Sequence, residues 1–71
     1  MRIKVDLESD ALYFRLSEDK IEGSEEVANG VVVDYGKTGK VVGVEILNLK
    51  DKFTLEELSK LNVELPTLTT K

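Results

Sequence analysis

The chain has 71 residues with 14 acidic and 10 basic side chains, a formal net charge of −4, no cysteine and no histidine. This length suits one small domain, and the missing residue types exclude disulfides and Cys/His zinc sites. The acidic balance argues against a dedicated nucleic-acid binder, which needs a basic face, and no apolar run reaches the length of a membrane span.

The N-terminal segment gives no sign of export. "MRIKVDL" alternates apolar and charged residues, whereas a signal peptide has a continuous apolar core. We therefore expect a soluble cytoplasmic protein. The absence of glutamine and the 34% of charged residues are typical of thermophilic proteins.

Two alternating segments near the N-terminus predict a β-hairpin. In "RIKVD" the apolar residues Ile3 and Val5 point to one side, and in "ALYFRL" Leu12 and Phe14 do the same. The intervening "LESD" has the composition of a turn, and pairing across it with Val5 opposite Leu12 places all four on one face. The opposite face collects Arg2, Lys4, Tyr13 and Arg15. Cations beside an aromatic ring could bind a phosphate or an acidic partner, or form an ordinary solvent face.

The segment that follows carries a weaker pattern. "IEGSEEV" has Ile21 and Val27 as its large apolar residues, and Gly23 lowers its strand propensity. A strand over residues 21–27 is therefore an open alternative. "ANG" marks a bend, in which Asn29 and Gly30 form a tight hairpin turn, a bulge or a corner between two strands.

The densest apolar stretch, "GVVVDYGKTGKVVGVEIL" (residues 30–47), predicts a second hairpin. The register that places Val33 opposite Val44 gives one continuous core face, formed by Val31, Val33, Tyr35, Val42, Val44 and Ile46. The other face is mixed and carries Val32, Val41 and Leu47 around Asp34 and Glu45. The "GKTGK" segment lacks the spacing and the following helix of a phosphate loop, so we interpret it as a turn in which Gly39 adopts positive φ.

Asp34 and Glu45 are the acid pair on adjacent predicted strands. Two such carboxylates could share a proton or bind a cation. Alternatively, both lie at a solvated edge or pair with a lysine such as Lys40. No nucleophile or base accompanies the pair, so the sequence predicts no catalytic, cofactor-binding or metal-binding residue and no enzyme.

The C-terminal "FTLEELSKLN" predicts one short helix, about residues 54–62. Thr54 is a good N-cap and Glu57 completes a capping box three residues later. Leu55, Leu58 and Leu61 form an apolar stripe that we expect to dock on the sheet. Residues 67–71 are expected to form a flexible tail. The prediction is thus one α+β domain over residues 1–66: an antiparallel sheet of four to five short strands, made of two hairpins, with one C-terminal helix.

Two stretches, "DLESDALYFRLSEDKIEGSEEVANGVVVDY" and "GKVVGVEIL", resemble the small bacterial and archaeal proteins grouped as the domain of unknown function 2283. The family pattern Asp-x-x-x-Asp-Ala-Leu-Tyr begins here at Asp6, its Gly-Val-x-x-Asp-Tyr begins at Gly30, and its Val-Gly-x-Glu-Ile begins at Val42. The resemblance covers residues 1–48. It implies no activity, cofactor or catalytic residue. Some members resemble the small partner of toxin–antitoxin-like gene pairs, which implies a protein-binding role, although the basic DNA-binding arm of many antitoxins is not evident.

Two functional hypotheses are open. The first is a protein-interaction module that self-associates, most simply as a symmetric homodimer, or binds a small protein partner as an antitoxin-like protein would. Its candidate surface is Val32, Val41 and Leu47, three apolar side chains that the rest of the chain is too short to cover. The alternative is a small-ligand or metal-ion binding protein that uses Asp34 and Glu45. Neither hypothesis requires a cofactor, nucleic acid or a membrane.

Overall fold

The computed structural model describes residues 1–67, in which five antiparallel strands form a single sheet and two short helices follow. The elements in chain order are β1 (Arg2–Asp6), β2 (Ala11–Arg15), β3 (Gly23–Ala28), β4 (Val31–Tyr35), β5 (Val41–Leu47), α1 (Leu49–Lys52) and α2 (Leu55–Ser59). The α+β class and the antiparallel sheet are confirmed. The prediction of one helix is wrong, because a second, earlier helix stands between the sheet and the predicted one. None of the helices in residues 1–67 is long and apolar enough to cross a membrane.

The sheet has the order β1-β2-β5-β4-β3, with β5 at its centre. Both predicted hairpin registers are confirmed: Val5 lies opposite Leu12 in the first hairpin, and Val33 lies opposite Val44 in the second. The two hairpins join where β2 pairs with β5, which places Leu12 opposite Ile46. The chain therefore crosses from β2 to β3 past the ends of β5 and β4.

The third strand forms at the edge of the sheet even though its sequence pattern is weak. All six of its residues are exposed, and it pairs along its length with β4. Asn29 and Gly30 make the tight turn of this hairpin, and Gly30 has the positive φ of 73° that such a turn needs. A register shift between Glu26 and Ala28 also supplies a bulge. Of the alternatives for Asn29 and Gly30, the tight turn is therefore the one observed, and the bulge precedes it in β3.

The first helix is held by the turn of the first hairpin. The backbone N–H of Leu49 donates to the carbonyl oxygen of Asp10 at 3.1 Å, and that of Lys50 donates to Oδ1 of the same residue at 3.0 Å. Asp10 thus satisfies N–H groups that a helix start leaves without partners. The Leu49 side chain is fully buried.

The second helix is shorter and less covered than predicted. Its capping box is confirmed: the Glu57 N–H donates to Thr54 Oγ1 at 3.1 Å, and the Thr54 N–H donates to Glu57 Oε1 at 2.9 Å. The predicted range 54–62 is too long, because the helix ends at Ser59. The docked leucine stripe is wrong in extent, since Leu55 is 60% and Leu61 46% exposed and Leu58 is half-buried. Of the predicted tail, residues 68–71 lie outside the described residues.

The hydrophobic core is small. Among residues 1–67 only Val42 and Leu49 are fully buried apolar side chains, so the predicted core face of the second hairpin is only partly buried. The other five side chains of that face are half-buried, because the short α2 covers little of the sheet. The radius of gyration is 14.3 Å, against about 11 Å for a compact chain of this length. The fold is therefore a thin sheet with one face incompletely covered.

Candidate functional site

Polar side chains from several strands meet on the face of the sheet opposite Ile3 and Val5. Tyr13 of β2 lies opposite Glu45 of β5. Two residues before Glu45 on β5, Gly43 lies between Arg15 of β2 and Asp34 of β4. Ser24 of β3 lies opposite Asp34 on the other side. We refer to these side chains as the polar cluster: Tyr13, Arg15, Ser24, Asp34 and Glu45.

Gly43 makes room for the aromatic ring of the cluster. A Cβ atom at this position would stand 2.7 Å from Tyr13 Oη and 3.1 Å from two of its ring carbons. The Tyr13 side chain therefore leans over the backbone of β5 where any larger residue would exclude it. This close approach explains why a glycine occupies the central strand of the sheet.

Arg15 is fixed at the edge of the cluster by three donated hydrogen bonds. Its Nη1 donates to Tyr13 Oη at 3.2 Å, its Nε to the Ser17 carbonyl at 2.5 Å, and its Nη2 to the Asp19 carbonyl at 2.6 Å. The bond to Tyr13 is the main reason that the pKa of Arg15 lies above its usual value. Arg15 thus ties the Tyr13 ring to the loop that leaves β2.

Asp34 is the most deeply buried charged side chain of the cluster, with 2% of its surface exposed. Its Oδ1 accepts a hydrogen bond of 2.5 Å from Ser24 Oγ. Its Oδ2 is buried and has no hydrogen-bond partner among the described residues. A buried polar atom without a partner costs roughly 1–3 kcal/mol, and more if it is charged, so this oxygen calls for an explanation.

The carboxyl group near Asp34 on the adjacent strand β5 is that of Glu45. Its side chain is half-buried, and burial is the main cause that raises the pKa of its carboxyl above the usual value. The neighbouring Asp34 carboxyl raises that pKa further. The two predicted acids are therefore brought together, and their environment favours a bound proton.

A metal ion would find few protein ligands here. No group of three or more side chains suited to metal coordination occurs within residues 1–67. Asp34 and Glu45 offer two carboxylates, whereas calcium and magnesium take six or more oxygen ligands. Any cation at this site would depend mainly on water for its coordination.

The predicted apolar surface is divided by the structure. Val32 lies opposite Glu45, and Leu47 lies two residues beyond Glu45 on the same strand, so both flank the polar cluster and both are half-buried. Val41 is 38% exposed and lies opposite Tyr35, beyond a bulge that interrupts the alternation of β5. The alternation that placed Val41 with Val32 and Leu47 therefore does not hold across the bulge.

Sequence reasoning found the acid pair but missed the rest of the cluster. Tyr13 and Arg15 were predicted on the outer face of the first hairpin, without a connection to the second hairpin, and Ser24 lay on a strand whose existence was open. The missing signal is the pairing of β2 with β5. Aligning the apolar residues Leu12 and Ile46 across these strands would have placed Tyr13 opposite Glu45.

A family model described as "Protein of unknown function (DUF2283)" matches residues 2–50. The matched range contains all five strands, and therefore the entire polar cluster, and it ends within α1. No curated protein and no solved structure matches the chain.

Proposed function

The chain belongs to the family of proteins of unknown function described as DUF2283, and since that description assigns no activity, we propose a function on structural grounds. The chain is a protein-interaction module rather than an enzyme, and its partner is a second copy of itself. The contact is made by the apolar face of the sheet. This face consists of Ile3, Val5, Leu12, Phe14, Val31, Val33, Val44 and Ile46.

The observation that carries the proposal is the exposure of this apolar face. None of its eight side chains is buried, and the two on β1, Ile3 and Val5, are 41% and 36% exposed. A sheet with one apolar face normally buries it against a second layer. Within residues 1–67 the only helices are α1 and α2, with four and five residues, and these are too short to form that layer.

The surface area supports a contact of the size found in stable dimers. The chain has 5723 Å² of accessible surface, whereas a compact protein of 7.9 kDa has roughly 4,400 Å². Part of the excess of roughly 1,300 Å² belongs to the C-terminal segment, where Leu61 and Val63 are 46% and 65% exposed. A standard interface removes about 800 Å² from each partner, which is less than the excess as a whole.

A second copy fits this face better than a charged partner does. The eight side chains of the apolar face are uncharged, and Glu25 lies beside them on the edge strand β3, opposite Val33. A symmetric contact that leaves β3 at its rim brings no like charges together. The face also continues into an apolar cleft of about 330 Å³ between the first hairpin and the C-terminal segment. The cleft is lined by Met1, Arg2, Ile3, Phe14, Leu61 and Val63, and side chains of a second copy can fill it.

We expect the wild-type chain to sediment at micromolar concentration with twice the mass of a single chain, and Val5→Lys to sediment as a folded monomer. Val5 lies on an edge strand of the apolar face, where a lysine can reach solvent but would carry its charge into the contact. Analytical ultracentrifugation measures the mass, and circular dichroism shows whether the variant retains its strands. Ile3→Lys is the second variant for the same face.

Val32→Lys is the matched comparison, because Val32 belongs to the surface predicted from the sequence and lies on the polar face. It should remain a dimer. A wild-type monomer would contradict self-association. A dimer that Val32→Lys dissociates and Val5→Lys does not would place the contact on the polar face instead.

The second candidate function is the binding of a small ligand or metal ion by Asp34 and Glu45. The buried Asp34 Oδ2 atom without a partner is the observation that favours it. Its weakness is the small number of ligands, since two carboxylates leave most of the coordination sphere of a divalent cation to water.

Magnesium, calcium and manganese are each expected to leave the melting temperature of the wild-type chain unchanged. A cation that bound the native state alone would raise it through mass action, and the two carboxylates are too few to hold one tightly. Differential scanning fluorimetry with each chloride salt, against sodium chloride of equal ionic strength, measures the effect. A clear rise that disappears in Asp34→Asn would establish cation binding at the acid pair.

A further inference from the structure

The Asp34 carboxylate is buried and, among the described residues, only one of its two oxygens accepts a hydrogen bond. Its Oδ1 accepts from Ser24, while its Oδ2 is buried and without a partner in the described part of the chain. An ionised carboxylate in this position loses its hydration on one side and gains no hydrogen bond in return. A hydrogen-bond donor at Oδ2 would offset this cost.

The charged groups around the acid pair are already engaged or lie further along the sheet. On β2, Arg15 gives its three hydrogen bonds to Tyr13 and to two carbonyls of the following loop. On β1, Lys4 is separated from Glu45 by Tyr13 in the same row of side chains. On β3, the Glu26 carboxylate adds negative charge and accepts from the Gly30 N–H at 3.0 Å.

The lysines at the two ends of β5 are also engaged by other groups. Lys52 of α1 donates its Nζ to the Leu47 carbonyl at 2.7 Å, and Lys40, at the near end, pairs with Asp19 at 3.6 Å. Lys52 and Lys40 are thus paired with other groups and not with Asp34. Among the charged side chains around Asp34, the remaining one is the Glu45 carboxyl on the neighbouring strand.

We propose that Asp34 and Glu45 share one proton, which links β4 to β5 across the polar face and makes the pair a pH-sensitive latch of the sheet. Ser24 stabilises the carboxylate of Asp34 by donating to Oδ1, so the proton resides on Glu45 and is donated to Asp34 Oδ2. This arrangement satisfies the orphaned oxygen and leaves one negative charge on the pair instead of two.

The latch has a definite sign. Burial and the neighbouring Asp34 raise the pKa of Glu45 in the folded chain, so the folded state binds this proton more tightly than the unfolded state does. The stability that the latch contributes is therefore fully present below the unfolded pKa of Glu45 and is lost as the pH rises through its raised folded pKa. Above that window the negative charges of the buried Asp34 and the half-buried Glu45 repel each other across the β4–β5 pair.

Other carboxylates of the chain change stability in the opposite direction. The pKa of Asp6 is lowered, chiefly by the Ser9 backbone N–H, and that of Glu18 is lowered, chiefly by the Arg2 guanidinium. Their contributions are present above their unfolded pKa values and are lost as the pH falls through the folded ones. A loss of stability on the alkaline side therefore distinguishes the acid pair from Asp6 and Glu18.

The experiment compares urea unfolding of the wild-type chain, Glu45→Gln and Glu25→Gln between about pH 4 and about pH 8. The glutamine amide at position 45 donates to Asp34 Oδ2 without titrating, so the alkaline fall in the unfolding midpoint should disappear in Glu45→Gln. Glu25 lies on an exposed edge strand and opposite Val33 on the apolar face, so Glu25→Gln should keep the wild-type profile. Asp34→Asn should also remove the fall.

Carbon-detected NMR titration of the wild-type chain gives an independent measurement that needs no variant to fold. We expect the Glu45 carboxyl to titrate above the usual glutamate range, and Asp34→Asn to move it back towards that range. Glu45 titrating in the usual range, or Glu45→Gln keeping the alkaline fall, would overturn the proposal. The inference does not rest on the proposed dimer, since the monomeric Val5→Lys variant should show the same Glu45 titration.

Discussion

Replacing Leu49 by alanine is expected to lower the free energy of unfolding by about 3 kcal/mol, which lies within the range for fully buried leucines. Leu49 is 0% exposed and is one of two fully buried apolar side chains in the described residues. Its backbone N–H is bonded to Asp10 and its carbonyl accepts from Phe53 at 2.7 Å, so the side chain is held in place and its pocket cannot easily collapse. In a chain with so small a core, this loss is a large part of the total stability.

Leu55→Ala is the matched control for this prediction. It makes the same chemical change in the next helix, but at a side chain that is 60% exposed, and we expect a change within about 0.5 kcal/mol. Urea denaturation of both variants at one protein concentration measures the difference, because a dimer makes stability depend on concentration. Equal effects for the two leucines would show that Leu49 is not the anchor of the C-terminal region.

The importance of Leu49 could not be predicted from local sequence. Asn48 occupies the N-cap position of α1, but its side chain makes no capping hydrogen bond. That bond is accepted by Asp10, which precedes Lys50 by 40 residues. Asp10 itself adopts the left-handed conformation with φ of 56°, which the sequence around it does not specify. A helix whose cap comes from a distant turn is visible only once the strands are placed.

The hairpins were predictable because period-two alternation fixes which residues face each other. The same alternation does not indicate which strand of one hairpin pairs with which strand of the other, so the central position of β5 was not predicted. The error about the core has a different cause. The leucines of α2 were counted as cover for the sheet, but a helix of five residues spans too little of it, and the apolar face stays open.

Of the candidate site, the strand register was predictable and the burial was not. The register of the second hairpin alone brings Asp34 and Glu45 together, and this part of the prediction is confirmed in the geometry. The burial of Asp34 was not foreseen, because it depends on Ser24 of an edge strand whose formation was open. The suggested partner Lys40 pairs with Asp19 instead, since the loop between β2 and β3 passes that end of the sheet.

Gly43→Ala is expected to lower the free energy of unfolding by roughly 1–3 kcal/mol, as overpacking of a filled site does. The added Cβ would stand 2.7 Å from Tyr13 Oη and 3.1 Å from two ring carbons, so the ring must leave its place above β5. Its departure also removes the acceptor of the Arg15 Nη1 bond. Urea denaturation measures the loss of stability, and near-ultraviolet circular dichroism reports the displaced tyrosine.

Gly23→Ala separates this steric effect from the general effect of alanine in a strand. Gly23 begins β3, and a Cβ there meets no heavy atom within 4 Å. Alanine restricts the unfolded chain more than glycine does, so Gly23→Ala should leave stability unchanged or raise it by up to about 1 kcal/mol. In a Tyr13→Ala background, Gly43→Ala should then cost little, because the atoms that the new Cβ would strike are gone. If Gly43→Ala lowered the free energy of unfolding equally in both backgrounds, the Tyr13 ring would not be the reason that a glycine occupies position 43. The position of Tyr13 in the polar cluster would then not depend on Gly43.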